Sequence, residues 1–135
     1  MHEISIEAEF CAAHALVIAG RREAVHGHNF RVTVTAGADR LDGDGLVCDF
    51  HALEALLGRV LAPMRDADLN AVAPFDRVNP SAERIAERIG EGVRDGLSAA
   101  GGAERGLRVV SVRVTEAPGC AATFRPRAGT NGGER

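Results

Sequence analysis

Hydrophobic and polar residues alternate along the first part of the chain. Ile4, Ile6, Ala8 and Phe10 share one face, and Ser5, Glu7 and Glu9 the other, so residues 2–10 are predicted as a half-buried strand. Residues 28–36 alternate again, with Phe30, Val32 and Val34 set against Arg31, Thr33 and Thr35. A stretch rich in Gly, Arg and Glu, centred on residues 19–25, separates them, which suggests a long antiparallel hairpin with an elaborate connection. The period then changes from two to helical. Asp49 offers an N-cap, and Phe50, Leu53, Leu57, Val60, Leu61 and Met64 recur at helical spacing until Pro63 helps to stop the run. A second helix is expected from Asn79-Pro80, with Asn79 as cap and Pro80 at the first helical position. Its buried stripe is Ile85, Ile89, Val93 and Leu97, and Gly101-Gly102 closes it. Residues 107–115 return to strand alternation, with Leu107, Val109, Ser111, Arg113 and Thr115 on one face and Arg108, Val110, Val112 and Val114 on the other. Ala117-Pro118-Gly119 is a turn, and Cys120–Phe124 a short last strand.

The order strand, strand, helix, helix, strand, strand reads as an α+β domain: an antiparallel four-stranded sheet with two helices on one face. It would occupy residues 1–126, with 127–135 as a flexible polar tail. Four strands leave two open sheet edges, which must be covered or paired with another subunit.

Composition narrows the functional classes. A chain of 135 residues is the size of one domain and can bury a core without staples. A net charge of −3, with no basic block, gives no electrostatic reason to expect nucleic acid. No apolar run suits a membrane, and the charged, alternating start does not read as a signal peptide, so a cytoplasmic protein is expected. All sixteen basic residues are arginine, which excludes a Schiff-base lysine. The three cysteines, Cys11, Cys48 and Cys120, are expected to be free thiols in packing roles, Cys11 as a small buried residue. The acids of DRLDGDG, residues 39–45, lack the spacing of a calcium loop and read as a solvated turn. His2 and His51 read as surface or capping residues.

The histidines of HGHNF carry more chemistry. In a strand, residues i and i+2 point to the same face, so His26 and His28 project together. A catalytic zinc takes three protein ligands and keeps one position open. His14, at the far end of the first strand in FCAAHAL, is the natural third ligand, because a hairpin brings it back opposite residues 26–28. Spacing alone leaves this evenly balanced against a merely polar strand end.

FCAAHAL, HGHNF, GLVCDFHAL, NPSAE and VTEAPG, taken together in order and spacing from about residue 4 to 124, resemble the 6-pyruvoyl-tetrahydropterin synthase / 6-carboxy-tetrahydropterin synthase family. The resemblance implies a T-fold subunit whose sheets join into a barrel in a homo-oligomer, usually a hexamer. It implies zinc on His14, His26 and His28, and a pterin-like ligand anchored by Glu116. A carboxylate can accept two parallel hydrogen bonds from the 2-amino group and ring N–H of a pterin. Where family members use threonines near the pterin, Ser81 keeps a hydroxyl and Ala82 does not.

The sequence also departs from the family pattern. The usual cysteine position is Arg22, and the usual Asp-His pair aligns with Arg65 and Asp66. Glu23, three residues before His26, instead gives E-x-x-H-G-H. That resembles a subgroup in which Glu replaces the Cys and dihydroneopterin triphosphate is cleaved to 6-hydroxymethyl-dihydropterin. Two readings follow. One is a divergent zinc-dependent lyase acting on a pterin side chain, with Glu23 or Asp66 moving the proton. The other is a non-catalytic or differently catalytic T-fold homologue that keeps the pterin pocket through Glu116. Arg22 and Arg65, if they line the mouth, could hold an anionic tail.

Overall fold

A computed structural model describes residues 1–127; the expected flexible tail, 127–135, lies almost wholly outside the described residues. The alternating segments become β1 (His2–His14) and β4 (His26–Ala38), joined through a two-stranded flap, β2 (Val17–Ile18) and β3 (Arg21–Arg22). Two helices follow, α1 (Phe50–Leu61) and α2 (Ala82–Ala100), with the two-residue β5 (Ala67–Asp68) between them. The chain returns as β6 (Arg108–Ala117) and β7 (Cys120–Phe124). The main sheet runs β5-β1-β4-β6-β7. Its four long strands are antiparallel, as the alternation predicts, and β5 adds a short parallel pairing beside Ala12 and Ala13.

Both hairpin strands outrun the hydrophobic alternation that predicts them. β1 continues to His14 because Ala12 and His14 keep facing inward after Phe10, and β4 starts at His26 for the matching reason. The register pairs Phe10 with Phe30, Ala12 with His28 and His14 with His26. The core lies between the inward face of this sheet and the two helices. It includes Phe10, Phe30, Val32 and Val34 from the hairpin, Leu53, Leu57 and Leu61 from α1, and Ile85, Ile89 and Val93 from α2. α2 packs closely on the sheet and on α1 because it carries glycine at both contacts. A methyl at Gly90 would lie 2.7 Å from the Phe124 ring, and one at Gly96 would enter the side chain of Leu56.

Four local expectations are corrected. Ser81, not Asn79, caps α2: its Oγ accepts the Arg84 N–H at 3.2 Å, and the helix starts at Ala82. Asn79 binds the flap instead, through the N–H and carbonyl of Val17. Strict alternation fails in β6, where the register slips between Thr35 and Ala36 of β4 and leaves Val110 unmatched. This bulge turns Val109 into the core alongside Val112 and Val114. Cys11 is exposed on the outer face of the sheet, where its thiol donates to Asn29 Oδ1 at 2.8 Å. Inward packing at that position would break the alternation that buries Phe10 and Ala12. Cys120 is also exposed, beside the last turn, and only Cys48 is partly buried. All three are free thiols.

Candidate metal and ligand site

The inward face of the sheet is apolar along most of its length and turns polar at one end. Continuing each strand by its own period of two takes Phe10 through Ala12 to His14, Phe30 back to His28 and His26, and Val112 through Val114 to Glu116. The candidate site positions are therefore the last places of the core pattern. Phe30 floors the cluster, with its ring centroid 5.5 Å from those of both His14 and His28.

The three imidazoles lie mutually edge-on. Their centroids are 4.7 Å apart for His14 and His26, 5.1 Å for His14 and His28, and 4.8 Å for His26 and His28. One ring nitrogen from each falls within 4.8 Å of the others. Backbone carbonyls fix two of the tautomers. His14 Nδ1 sits 2.8 Å from the Pro80 carbonyl, and His26 Nδ1 2.8 Å from that of Ala24. A carbonyl only accepts, so both Nδ1 atoms carry the proton, and the neutral rings present an Nε2 lone pair to the cluster. Metal-bound histidines are commonly held in this way.

His14 is wholly buried, yet its Nε2 and that of His28 have no hydrogen-bond partner. An unsatisfied buried acceptor costs about 1–3 kcal/mol. Burial, with the neighbouring His14 and His26, holds the pKa of His28 below its ordinary value against the opposing pull of Glu116 and Glu23, which keeps that ring in its ligating, neutral form. Two orphaned Nε2 atoms and a third imidazole converging within metal-ligand reach suit zinc, which takes neutral imidazole nitrogen.

Two carboxylates flank the triad. Glu116 Oε1 is 3.0 Å from His14 Nε2 and 3.8 Å from His28 Nε2. Glu23 Oε1 is 3.8 Å from His26 Nε2 and also accepts the Leu16 N–H at 2.9 Å, while its own N–H donates to the Leu16 carbonyl. Asp66 stands apart from this group. It is exposed, with φ +55°, and its N–H donates to the Cys11 carbonyl at 2.7 Å. It lines an open cleft of about 540 Å³ shared with Cys11, Gly27, His28, Asn29 and Asp68. Arg65 donates to the Glu9 carbonyl at 3.0 Å, and Arg22 is exposed on the flap. The Ser81 oxygen is occupied as a helix cap, but its hydroxyl proton remains able to donate.

Sequence reading missed the side chains that hold the loop after His14. Asn70 Oδ1 accepts the Ala15 N–H and its amide donates to the Ala15 carbonyl, both at 2.8 Å. Asn79 does the same for Val17, at 2.9 and 2.7 Å. Each amide imitates a neighbouring strand. Together with the Pro80 carbonyl on His14, they tie the end of β1 and the loop after it to the segments before and into α2. Only tertiary pairing shows this, since an Asn before Pro also has the chemistry of a helix cap.

Comparison with known proteins agrees with this architecture. The sequence profile described as 6-pyruvoyl tetrahydropterin synthase matches residues 3–127. A protein of Archaeoglobus fulgidus provisionally named 6-carboxy-5,6,7,8-tetrahydropterin synthase is 33% identical over 113 residues, spanning 84% of this chain and 86% of its own. The 6-carboxy-5,6,7,8-tetrahydropterin synthase of Bacillus subtilis is 28% identical over 130 residues, covering 94% of this chain and 87% of its own. A solved Plasmodium vivax 6-pyruvoyltetrahydropterin synthase, a catalytic-residue mutant with glutamate changed to alanine, superposes with a TM-score of 0.75 at 20% identity. The match covers 93% of this chain and 97% of that one, and at such identity it speaks for the T-fold alone. The chain belongs to the 6-pyruvoyl tetrahydropterin synthase family.

Proposed function

We propose that this protein is a zinc-dependent lyase acting on the side chain of a pterin, with dihydroneopterin triphosphate as the substrate to test first. The observation that carries the reading is the convergence of His14, His26 and His28, two of them with orphaned buried Nε2 atoms, between the carboxylates of Glu23 and Glu116. When bound, zinc would supply Lewis-acid polarisation of a side-chain hydroxyl or carbonyl, making the adjacent C–H more acidic. Glu23 takes that proton: one oxygen is held by the Leu16 N–H, and its remaining lone pairs are free to accept. The catalytic glutamate of the Plasmodium vivax protein gives a precedent for the residue type. Glu116 receives the 2-amino group and ring N–H of the pterin, Ser81 adds a hydroxyl donor, and Asp66 offers a second proton carrier from the neighbouring cleft.

The same reading includes a homo-oligomer, a hexamer in the family pattern, in a cytoplasmic setting. Support comes from the sheet edges, since β7 is an edge strand with no partner on its outer side among the described residues, and the two-residue β5 shields only a small part of β1. No helix among the described residues is long and apolar enough to cross a membrane.

A second reading is favoured by Arg65 and Asp66. The Arg65 guanidinium is tied to the Glu9 carbonyl and Asp66 points to an open cleft, so neither forms an Asp-His relay beside the triad. The chain would then be a T-fold homologue that keeps the pterin pocket without the synthase reaction. Metal analysis of the purified protein, with a turnover assay on dihydroneopterin triphosphate, separates the two. The lyase predicts stoichiometric zinc and turnover abolished in Glu23→Ala. Zinc without turnover, with pterin binding lost in Glu116→Ala, establishes the second reading and removes the first.

A further inference from the structure

The geometry points to Glu116 as a fourth ligand of the metal in the pterin-free protein, a carboxylate that must leave the metal before it can hold a pterin. The inference rests on the three-histidine reading above and adds to it the state of the empty pocket.

Ligand bonds of about 2.0–2.1 Å in a tetrahedral shell set neighbouring ligand atoms roughly 3.4 Å apart. Glu116 Oε1 lies 3.0 Å from His14 Nε2 and 3.8 Å from His28 Nε2, on either side of that spacing. An ordinary ion pair fails to explain the arrangement. At 3.0 Å a protonated His14 Nε2 would donate to the carboxylate, yet the alignment is wrong and Nε2 has no hydrogen-bond partner. His14 Nδ1 already uses the ring proton on the Pro80 carbonyl, so a neutral ring would set a nitrogen lone pair against a carboxylate oxygen. Two acceptors in contact but not aimed at each other are stabilised by a cation placed between them. Glu116 can play both parts because no hydrogen bond among the described residues pins its carboxylate in one place. Its side chain is 28% exposed, and it occupies an unmatched position in β6, where the register slips between Thr115 and Ala117 opposite β7.

Its two roles therefore exclude each other. A carboxylate bound to the metal closes the position that water or substrate needs, and a pterin that claims the carboxylate opens it. The ligand that fits the pocket thereby creates the vacant coordination site, and the pterin-free protein keeps no activated water to react with solvent molecules.

Cobalt(II) tests this, since its visible spectrum reports the ligand set and a metal-bound water titrates near pH 7. Metal-free full-length protein is loaded with cobalt and scanned from pH 6 to 9, alone and with neopterin. The wild type alone is expected to give a pH-independent four-coordinate spectrum, and neopterin should make it pH-dependent. Glu116→Gln and Glu116→Asp, which remove the charge or shorten the reach, should titrate without neopterin. Their cobalt affinity should fall by at least the roughly 10–100-fold that loss of an outer-shell partner costs. A wild-type spectrum that already titrates, and that Glu116→Gln leaves unchanged, assigns the fourth position to water and overturns the proposal while the three-histidine site stands. Failure of the wild type to bind cobalt removes the metal reading itself.

Discussion

Replacing Asn70 by alanine tests whether the loop after His14 is held by that amide. The substitution deletes both hydrogen bonds to Ala15, each 2.8 Å long, at a residue that is itself buried. It leaves an N–H and a carbonyl without partners, at about 1–3 kcal/mol for each group buried from water. Asn70 is only partly buried and water can reach part of the gap, so a total of about 2–4 kcal/mol is expected. For a domain of this size, at roughly 4 °C per kcal/mol, this lowers Tm by about 8–16 °C. Some of the cost should appear in metal binding, because Ala15 follows His14 directly. A fall of roughly 10–100-fold in zinc affinity is expected, as when an outer-shell partner is removed. Asn70→Asp discriminates further. It keeps the acceptor for the Ala15 N–H but sets a carboxylate oxygen against the Ala15 carbonyl, so it should lose stability too. Calorimetry of the metal-free protein and competitive zinc titration measure both effects. If Asn70→Ala binds zinc like the wild type and melts within 2 °C of it (about 0.5 kcal/mol at that conversion), the clamp does not position His14.

Two further predictions concern packing and thiol chemistry. Gly96→Ala should destabilise by about 1–2 kcal/mol in urea unfolding, because overpacking against Leu56 outweighs the ~1 kcal/mol helix-propensity gain; Gly58→Ala, which meets nothing within 4 Å, should stabilise by about 0.5–1 kcal/mol. Burial pushes the Cys48 thiol pKa above its ordinary value, so alkylation at pH 8 should label exposed Cys11 and Cys120 first and reach Cys48 only slowly, as mass spectrometry of timed digests would show; equal rates at all three would contradict the burial.

Much of the fold was legible because period and burial agree. The inward positions of β1, β4 and α2 are those that alternation and four-residue spacing select, down to Ile85, Ile89, Val93 and Leu97. The histidine cluster was legible for the same reason, since i and i+2 in one strand of a hairpin fix a face without side-chain detail. Errors arose where a tertiary contact outbid a local rule. Asn79 has the chemistry of a cap but gains two backbone bonds from the flap, while Ser81 takes the cap two residues later. Cys11 is a small apolar residue by type, but its strand parity commits it to the outer face. The bulge opposite Thr35 and Ala36 cannot be read from β6 alone, because Val109, Val110 and Val112 suit either face equally and only the partner strand decides.

The site itself follows from how the core ends. A sheet face that is apolar for its whole length would expose hydrophobic residues where the helices stop covering it. Here the inward positions change to His14, His28 and Glu116 at that boundary, each one period beyond a buried apolar residue, and His26 lies one period beyond His28. Phe30 and the packed strands below allow the imidazoles little freedom to drift, and the Pro80 and Ala24 carbonyls fix two of the ring orientations. The rigidity that a metal site would require is thus supplied by the core and is not assembled separately. The flap differs, since it depends on the two asparagine amides and on Glu23, whose carboxylate is both a loop contact through Leu16 and a neighbour of His26. A change in the flap should therefore alter the proposed proton-transfer group before it disturbs the proposed ligands, and for that reason divergence in chemistry is expected to concentrate at residues 17–25 while the three histidines persist.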